Sequence, residues 1–590
     1  MIELTSSNLP PLRMPWKNCI AVGRAYELLR QDLLEHLAKV QREISFRYCR
    51  FHGIFHDDME VVVRRPDGTL AFQWHQVDKI YDALLALGLR PFVEFGAMPR
   101  ALASGEQTIF HWKMNVTPPK SYAEWGQLVG AMVAHLVDRY GLEEVRQWYF
   151  EVWNEPNLSG FWSGTQEEYW KLYDAAAEAV KSVDRQLRIG GPASSKASWI
   201  EDMIGHCHQD RTPLDFVSTH LYPQDEYVDY PGGPSGCDVG VSPACGEGVS
   251  PASSPFPAVP SSGNEKQQQN AGKMPATHAD KMSASHAGKM PATHAGGTPA
   301  SQEASPHFSP YAPGQYFIQR IREARQRIDR SPMPHLPIHW TEFNSISCRS
   351  SKEISWVDNP CVDQIFAASF AARVCAELDG DCDTLCWWTA SDIFEESGMP
   401  HSPFSSTYGL LTIHGLAKAS FNAFAMLAKM RGGRLGVKAS SAAPEGCGLV
   451  ATGEHTCRRV LLWNHEFPER AANVRWKDTL RLAAPSQGDQ SVVTSRIAVG
   501  AGSAYETWCA MGRPHNLSTT ELELLDSHSR PRMEAQRLTP ADGQVERAFD
   551  LAPNEVLYIE IRPCSPAAVP KGPDAKDVAR WDLAMGERSR

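Results

Sequence analysis

The chain reads as α/β, an eightfold β/α (TIM) barrel carrying an accessory β-sandwich, and two changes of texture along it predict this. Between Trp16 and Leu427, short runs rich in β-branched and aromatic residues alternate with longer amphipathic stretches, the pattern of a parallel sheet wrapped by helices. From about Lys429 the runs become short and β-rich, separated by Gly, Pro and Asp turns, which is the texture of a sandwich. With 590 residues, 42% of them hydrophobic, the chain exceeds the roughly 250–300 residues one core usually takes, so two or three domains are expected.

The barrel strands fall at 18–23 (NCIAVG), 46–52 (FRYCRFH), 90–96 (RPFVEFG), 148–155 (WYFEVWNE), 187–193 (LRIGGPA), 215–223 (DFVSTHLYP), 337–344 (PIHWTEFN) and 383–391 (DTLCWWTAS). Residues 25–44 and 122–140 between them repeat apolar side chains at helical spacing. Eight such units in one domain favour a closed barrel over 16–428. An open doubly wound sheet is disfavoured, because no G-x-G-x-x-G turn follows the first strand. Residues 231–308 break the pattern as a Gly/Pro/Ser/Ala-rich insertion without strand or helix period, expected to be disordered. Three tandem octads (272–279, 280–287 and 288–295) repeat His278, His286 and His294 within it, which reads as low complexity rather than a metal chelator. The runs RRVLLWNH, DQSVVTSRIAVG, SAYETWCAM and NEVLYIEIRP supply strands of the sandwich over 429–565, and 566–590 reads as a loosely held tail.

The charge of -11, from 69 acidic and 58 basic residues, supplies no basic stripe for phosphates, which argues against nucleic acid as a partner. No run approaches the roughly 18 apolar residues of a membrane span, and the N-terminus lacks a secretory apolar core, so no membrane partner and a cytoplasmic location are expected. The 14 scattered cysteines read as buried thiols of a reducing compartment. Cys382 and Cys386 have no second pair to complete a zinc site, so neither metal nor organic cofactor is expected. The sequence leaves oligomeric state open, a homo-oligomer included.

Two acids carry the chemistry. Glu155 closes the fourth strand and Glu342 the seventh, both at the rim where β/α barrels gather their active sites. Acetal hydrolysis needs two such carboxyls facing across a sugar ring. Two structural ion pairs are the plain alternative, but Asn154 beside Glu155 offers an amide to a ring hydroxyl, and Pro156 fixes the turn that follows. His52 ends the second strand and is expected to contact a substrate hydroxyl. His220 and Tyr222 end the sixth, where the tyrosine hydroxyl is placed to bond Glu342 and keep it ionised.

With these motifs, and with RFHGIFHDDM (50–59), PFVEFGAMP (91–99), TIFHWKMNVTPP (108–119) and RYGLEEVRQWYFEVWNEPNL (139–158), nearly all of Trp16 to Leu427 resembles glycoside hydrolase family 39, a family of β-D-xylosidases and α-L-iduronidases. The resemblance implies a retaining double displacement, with Glu155 as acid/base and Glu342 as nucleophile. It also implies that residues 1–15 pack on the sandwich, and that Phe110, Trp388, Glu395 and Glu396 line the sugar pocket, Trp388 as its floor. In that mechanism the free enzyme holds Glu155 protonated, and the charge of Glu342 is expected to raise its pKa. The sixth-strand rim reads His220-Leu221-Tyr222-Pro223, without the cation a uronic acid requires. A neutral sugar, xylose first, is therefore expected, and the resemblance implies exo action on the terminal unit of a small oligosaccharide or glycoside. Other glycosides (arabinoside, galactoside, glucoside, uronide), an inverting use of the same pair and a non-catalytic sugar-binding barrel are the alternatives.

Overall fold

The computed structural model describes residues 1–6, 9–223, 225, 313–345, 362–465 and 474–564. The insertion at 231–308 with its octads, and the tail at 566–590, lie outside them. Eight parallel strands close a barrel in chain order: Cys19–Arg24, Tyr48–His52, Arg90–Phe95, Tyr149–Val152, Arg188–Ser194, Phe216–His220, Ile338–Phe343 and Thr384–Trp387. Trp387 pairs with Ile20 to complete the circle. Helices such as Tyr122–Tyr140, whose first turn is capped by the Ser121 hydroxyl accepting from the Glu124 amide, cover its outside.

Side chains alternate across each strand, and the alternation sorts them cleanly. Cys49, Phe51, Val93, Phe150 and Val152 join the apolar layer under the helices. Inside the barrel, Phe92, Tyr149, Phe216 and His339 pack ring against ring. One step nearer the C-terminal rim the inward positions turn polar: Arg50, Glu94, Glu151 and Thr341, all at most 1% exposed.

Strict alternation would send Glu342 outward with Ile338 and Trp340, which pack under the helices. The seventh strand instead shifts register against the eighth between Trp340 and Phe343. Thr341 and Glu342 then both bond residues of the interior, Glu151 and Arg50. A local extra residue of this kind commonly re-aims a side chain at the rim of a barrel.

The second domain is a nine-stranded sheet, antiparallel except for the pairing of Ile2–Ser6 with Trp476–Ala483. Ile2–Ser6 lies between Trp476–Ala483 and Gly433–Ala439. The edge strands Arg532–Leu538 and Gln544–Leu551 meet through Arg547 Nη1 donating to Gln536 Oε1 at 2.7 Å. The sheet thus wraps one core containing Ile2, Leu4, Trp476, Val492, Phe549 and Ile559.

Several elements differ from the sequence expectation; the sixth strand, for one, ends at His220, not at Pro223. The fourth strand ends at Val152, not at Glu155, because Trp153 and Glu155 adopt positive φ (72° and 45°) and make a turn of Trp-Asn-Glu. The eighth ends at Trp387. The run SAYETWCAM is helical over Tyr505–Ala510, not a strand: Tyr505 and Trp508, three residues apart, present one face to Phe404.

Candidate active site

Five strand ends and two loops converge above the polar interior. The turn after the fourth strand holds Glu155, with its amide bonded to the Ala193 carbonyl at 2.9 Å. Positive φ at a non-glycine residue is costly and recurs at functional sites. Asn154, between the two residues with positive φ, is 2% exposed and accepts from Arg50 Nη2 at 3.0 Å, leaving its amide hydrogens for a ligand.

Glu155 and Glu342 face each other. One carboxylate oxygen of each, together with a ring nitrogen of His220, lie within 4.8 Å of one another. His220 Nδ1 is 2.9 Å from Glu155 Oε1 and 3.6 Å from Glu342 Oε2. Burial lowers the pKa of His220 to about 4, so the ring is neutral and one proton lies between it and Glu155. Its Nε2 has no hydrogen-bond partner among the described residues.

The two acids sit in different surroundings. Glu342 Oε1 accepts from Arg50 Nη1 at 2.8 Å, Oε2 accepts from the Tyr222 hydroxyl at 3.1 Å, and His52 Nε2 is 3.4 Å away. Both of its oxygens thus meet hydrogen-bond donors. Glu155 is pushed up to about 7, chiefly by burial, against the pull of the Ser195 hydroxyl, Arg50 and Lys196. The expected cause was the charge of Glu342; burial is the main cause instead, and the carboxylate that adds to it is Glu94.

Arg50, which sequence reasoning passed over, organises the floor. Fully buried, it bonds Glu151 (2.6 Å), Glu94 (2.8 Å), Glu342 and Asn154, and these carboxylates hold its guanidinium protonated. His52 Nδ1 lies 2.6 Å from Glu94 Oε2. Burial raises Glu94 to about 8 and lowers His52 to about 3, and His52 turns its other nitrogen toward Glu342.

The His52 ring lies 4.7 Å from that of Trp388, which is 1% exposed, and 6.2 Å from that of Phe110. Glu396 is held well above the usual carboxylate range by burial and by the charges of Glu342 and Glu155, which puts it beside the pair. Glu395 is turned away from them: its Oε2 takes two donors from Arg24, at 2.9 and 2.7 Å. The ten sequence-derived positions therefore gather at one rim, with Glu395 one step outside the centre.

A histidine and two carboxylates at this spacing are also a donor set for a metal ion. Arg50 already places a fixed cation 2.8 Å from Glu342, and Lys196 acts at Glu155; both would repel a second positive charge. The arrangement suits proton transfer beside a stabilised anion. Cys382 and Cys386 are separate buried thiols.

The pattern of glycosyl hydrolases family 39 matches residues 2–229 and 294–546. Over 572 residues, covering 95% of each chain, the sequence is 32% identical to a beta-xylosidase of Geobacillus stearothermophilus. Among solved structures, the GH39 enzyme from Xanthomonas axonopodis pv. citri superposes with a TM-score of 0.73 at 27% identity, covering 95% of this chain and 97% of that one. A monomeric beta-xylosidase from Caulobacter crescentus CB15 does so with a TM-score of 0.72 at 27% identity, covering 96% and 99%.

Proposed function

Because the chain belongs to glycosyl hydrolase family 39, we propose that it is a retaining, exo-acting β-D-xylosidase in which Glu342 is the nucleophile and Glu155 the acid/base. The observation that carries the reading is the facing pair itself. One carboxylate oxygen of each lies within 4.8 Å of the other's, a close approach that favours the roughly 5–5.5 Å carboxyl spacing of retaining enzymes over the about 6.5–9.5 Å that inversion needs to admit a water.

The unequal surroundings assign the roles. Glu342, with Arg50 and Tyr222 donating to its two oxygens, is the acid oriented to attack the anomeric carbon. Glu155, at about 7, carries the proton that passes to the leaving oxygen as the glycosidic bond breaks. Once Glu342 is esterified its charge is gone, and Glu155 takes a proton from water, whose oxygen displaces Glu342 from the same face the aglycone left. Asn154 is placed to bond the 2-hydroxyl, a contact that strengthens in the transition state.

A neutral sugar suits the charges present. Arg50 is saturated by carboxylates, and Arg24 is held by Glu395 and Asp58, so neither is free to meet a uronate. Xylose comes first by similarity to the relatives named beta-xylosidases. The test is a panel of aryl xylosides, arabinosides, galactosides, glucosides and uronides, with the anomer of the first-formed product read by NMR. Turnover led by the β-xyloside with retained configuration is expected; cleavage of uronides alone, or inversion, overturns the assignment.

A further inference from the structure

Beside the site lies a cavity of about 320 Å³ lined by Arg24, Asp58, His111, Trp112, Glu395 and Met399. We propose that it is a second carbohydrate subsite, which receives a neutral, hydroxyl-bearing group carried by the terminal sugar on the side away from its anomeric carbon. The proposal rests on the reading that this carbon sits between Glu155 and Glu342.

Position is the first argument. Neither catalytic glutamate lines the cavity, yet a row of ring contacts runs between them. Glu342 faces His52 at 3.4 Å, His52 stacks on Phe110 with ring centres 6.2 Å apart, and Phe110 stacks on Trp112 at 5.4 Å. The cavity walls are the segments that carry Phe110 and Glu396: the His111 amide donates to the Glu396 carbonyl at 2.7 Å, pinning the two together. The same row of rings thus borders both the nucleophile position and, through Trp112, the cavity.

Chemistry is the second. Arg24 Nε and Nη2 bond Glu395, Nη1 bonds Asp58 at 2.5 Å, and the guanidinium lies 5.0 Å over the Trp112 ring. One cation among two carboxylates leaves no net attraction for an anion, and a cationic ligand would compete with Arg24 for the indole face. A hydroxyl suits both neighbours, since it donates to a carboxylate and accepts from a guanidinium. The indole and the Met399 thioether offer apolar surface to sugar C–H groups.

Removing Arg24 would leave Glu395 and Asp58 unpaired, so the test fills the cavity instead. Half-buried Met399 is replaced (Met399→Trp), and kcat/KM is compared for 4-nitrophenyl β-D-xyloside and for the same glycoside bearing one pentose as a branch on its 3-hydroxyl. The expected result is release of an intact disaccharide from the branched substrate. The branched-to-plain ratio should then fall at least about tenfold in Met399→Trp, as pocket-wall discrimination does. No cleavage of the branched substrate, or an unchanged ratio, overturns the subsite. If the plain xyloside is itself not cleaved, the proposed sugar fails separately, and the subsite is judged by titrating Glu342→Gln with the same ligands. Tighter binding of a branched ligand, lost in the Met399→Trp double variant, upholds it; equal affinities overturn it.

Discussion

Arg50 and Glu342 stand on the second and seventh barrel strands, 292 residues apart, and meet at 2.8 Å. The guanidinium fork also holds Glu151 and Asn154, so one side chain positions both the proposed nucleophile and the residue before the proposed acid. Lysine keeps the charge but not the fork. Arg50→Lys should lower kcat/KM about 100-fold or more, the scale of losing a preorganised donor, while the protein stays folded. Arg50→Met should also cost about 3–5 kcal/mol in urea unfolding, because it strands buried carboxylates. Wild-type turnover in Arg50→Lys would show that Glu342 does not depend on it.

Glu155, at about 7 when free, sets an alkaline limit. kcat/KM reports ionisations of the free enzyme, so it should fall above pH 7 as Glu155 loses its proton. Stability carries the same signature. The folded pKa lies above the unfolded value, so the contribution of Glu155 is fully present below about pH 4.5 and is lost as pH rises through 7. Glu155→Gln has no such dependence, and its melting temperature relative to wild type should rise between pH 5 and pH 8. A difference independent of pH would contradict the assignment.

The leaving group separates the two roles. An activated aryl oxide departs without a proton, whereas an alkyl or sugar oxygen does not. Glu155→Gln should therefore form the glycosyl-enzyme from a dinitrophenyl glycoside at near wild-type rate and then stall, giving a burst. On a disaccharide it should lose about 10²–10⁴-fold, the usual contribution of general acid catalysis. Glu342→Gln should show no burst with either substrate; a burst there would reverse the roles.

Much of this was legible because strand ends announce themselves: Asn154-Glu155-Pro156 and the Glu342 run sit where β-rich patterns stop. Arg50 was not, since an arginine inside FRYCRFH resembles the polar face of an edge strand. Its signal lay in parity across three strands: Arg50, Glu94 and Glu151 occupy the inward positions that follow Tyr48, Phe92 and Tyr149 by two residues. That register is a tertiary fact. The inward aim of Glu342 was equally hidden, because it depends on a register shift against the neighbouring strand that sequence periodicity does not contain. In SAYETWCAM, aromatic content suggested a strand, whereas packing of Tyr505 and Trp508 on Phe404 selected a helix.

The loop that carries Glu395 and Glu396 is anchored from behind by a buried ion cluster. Lys418 Nζ, fully buried, lies 2.6 Å from Asp363 and 2.7 Å from Asp392, and also donates to the Thr407 carbonyl at 2.7 Å. The aspartates in turn accept from the amides of Ser406 and Gly409. Burial pushes Asp392 up to about 7 even with Lys418 beside it, so the lysine offsets a desolvation cost that would otherwise fall on two acids. Lys418→Met removes the cation and keeps most of the volume. It should destabilise the protein by about 3–5 kcal/mol, the range for breaking a buried ion pair by removing one partner. Adding Asp363→Asn and Asp392→Asn should recover part of the loss, since neutral amides no longer need the cation. Chemical unfolding of the single and triple variants measures both, and a triple variant no more stable than Lys418→Met would mean that loop packing, not charge, is what the cluster supplies.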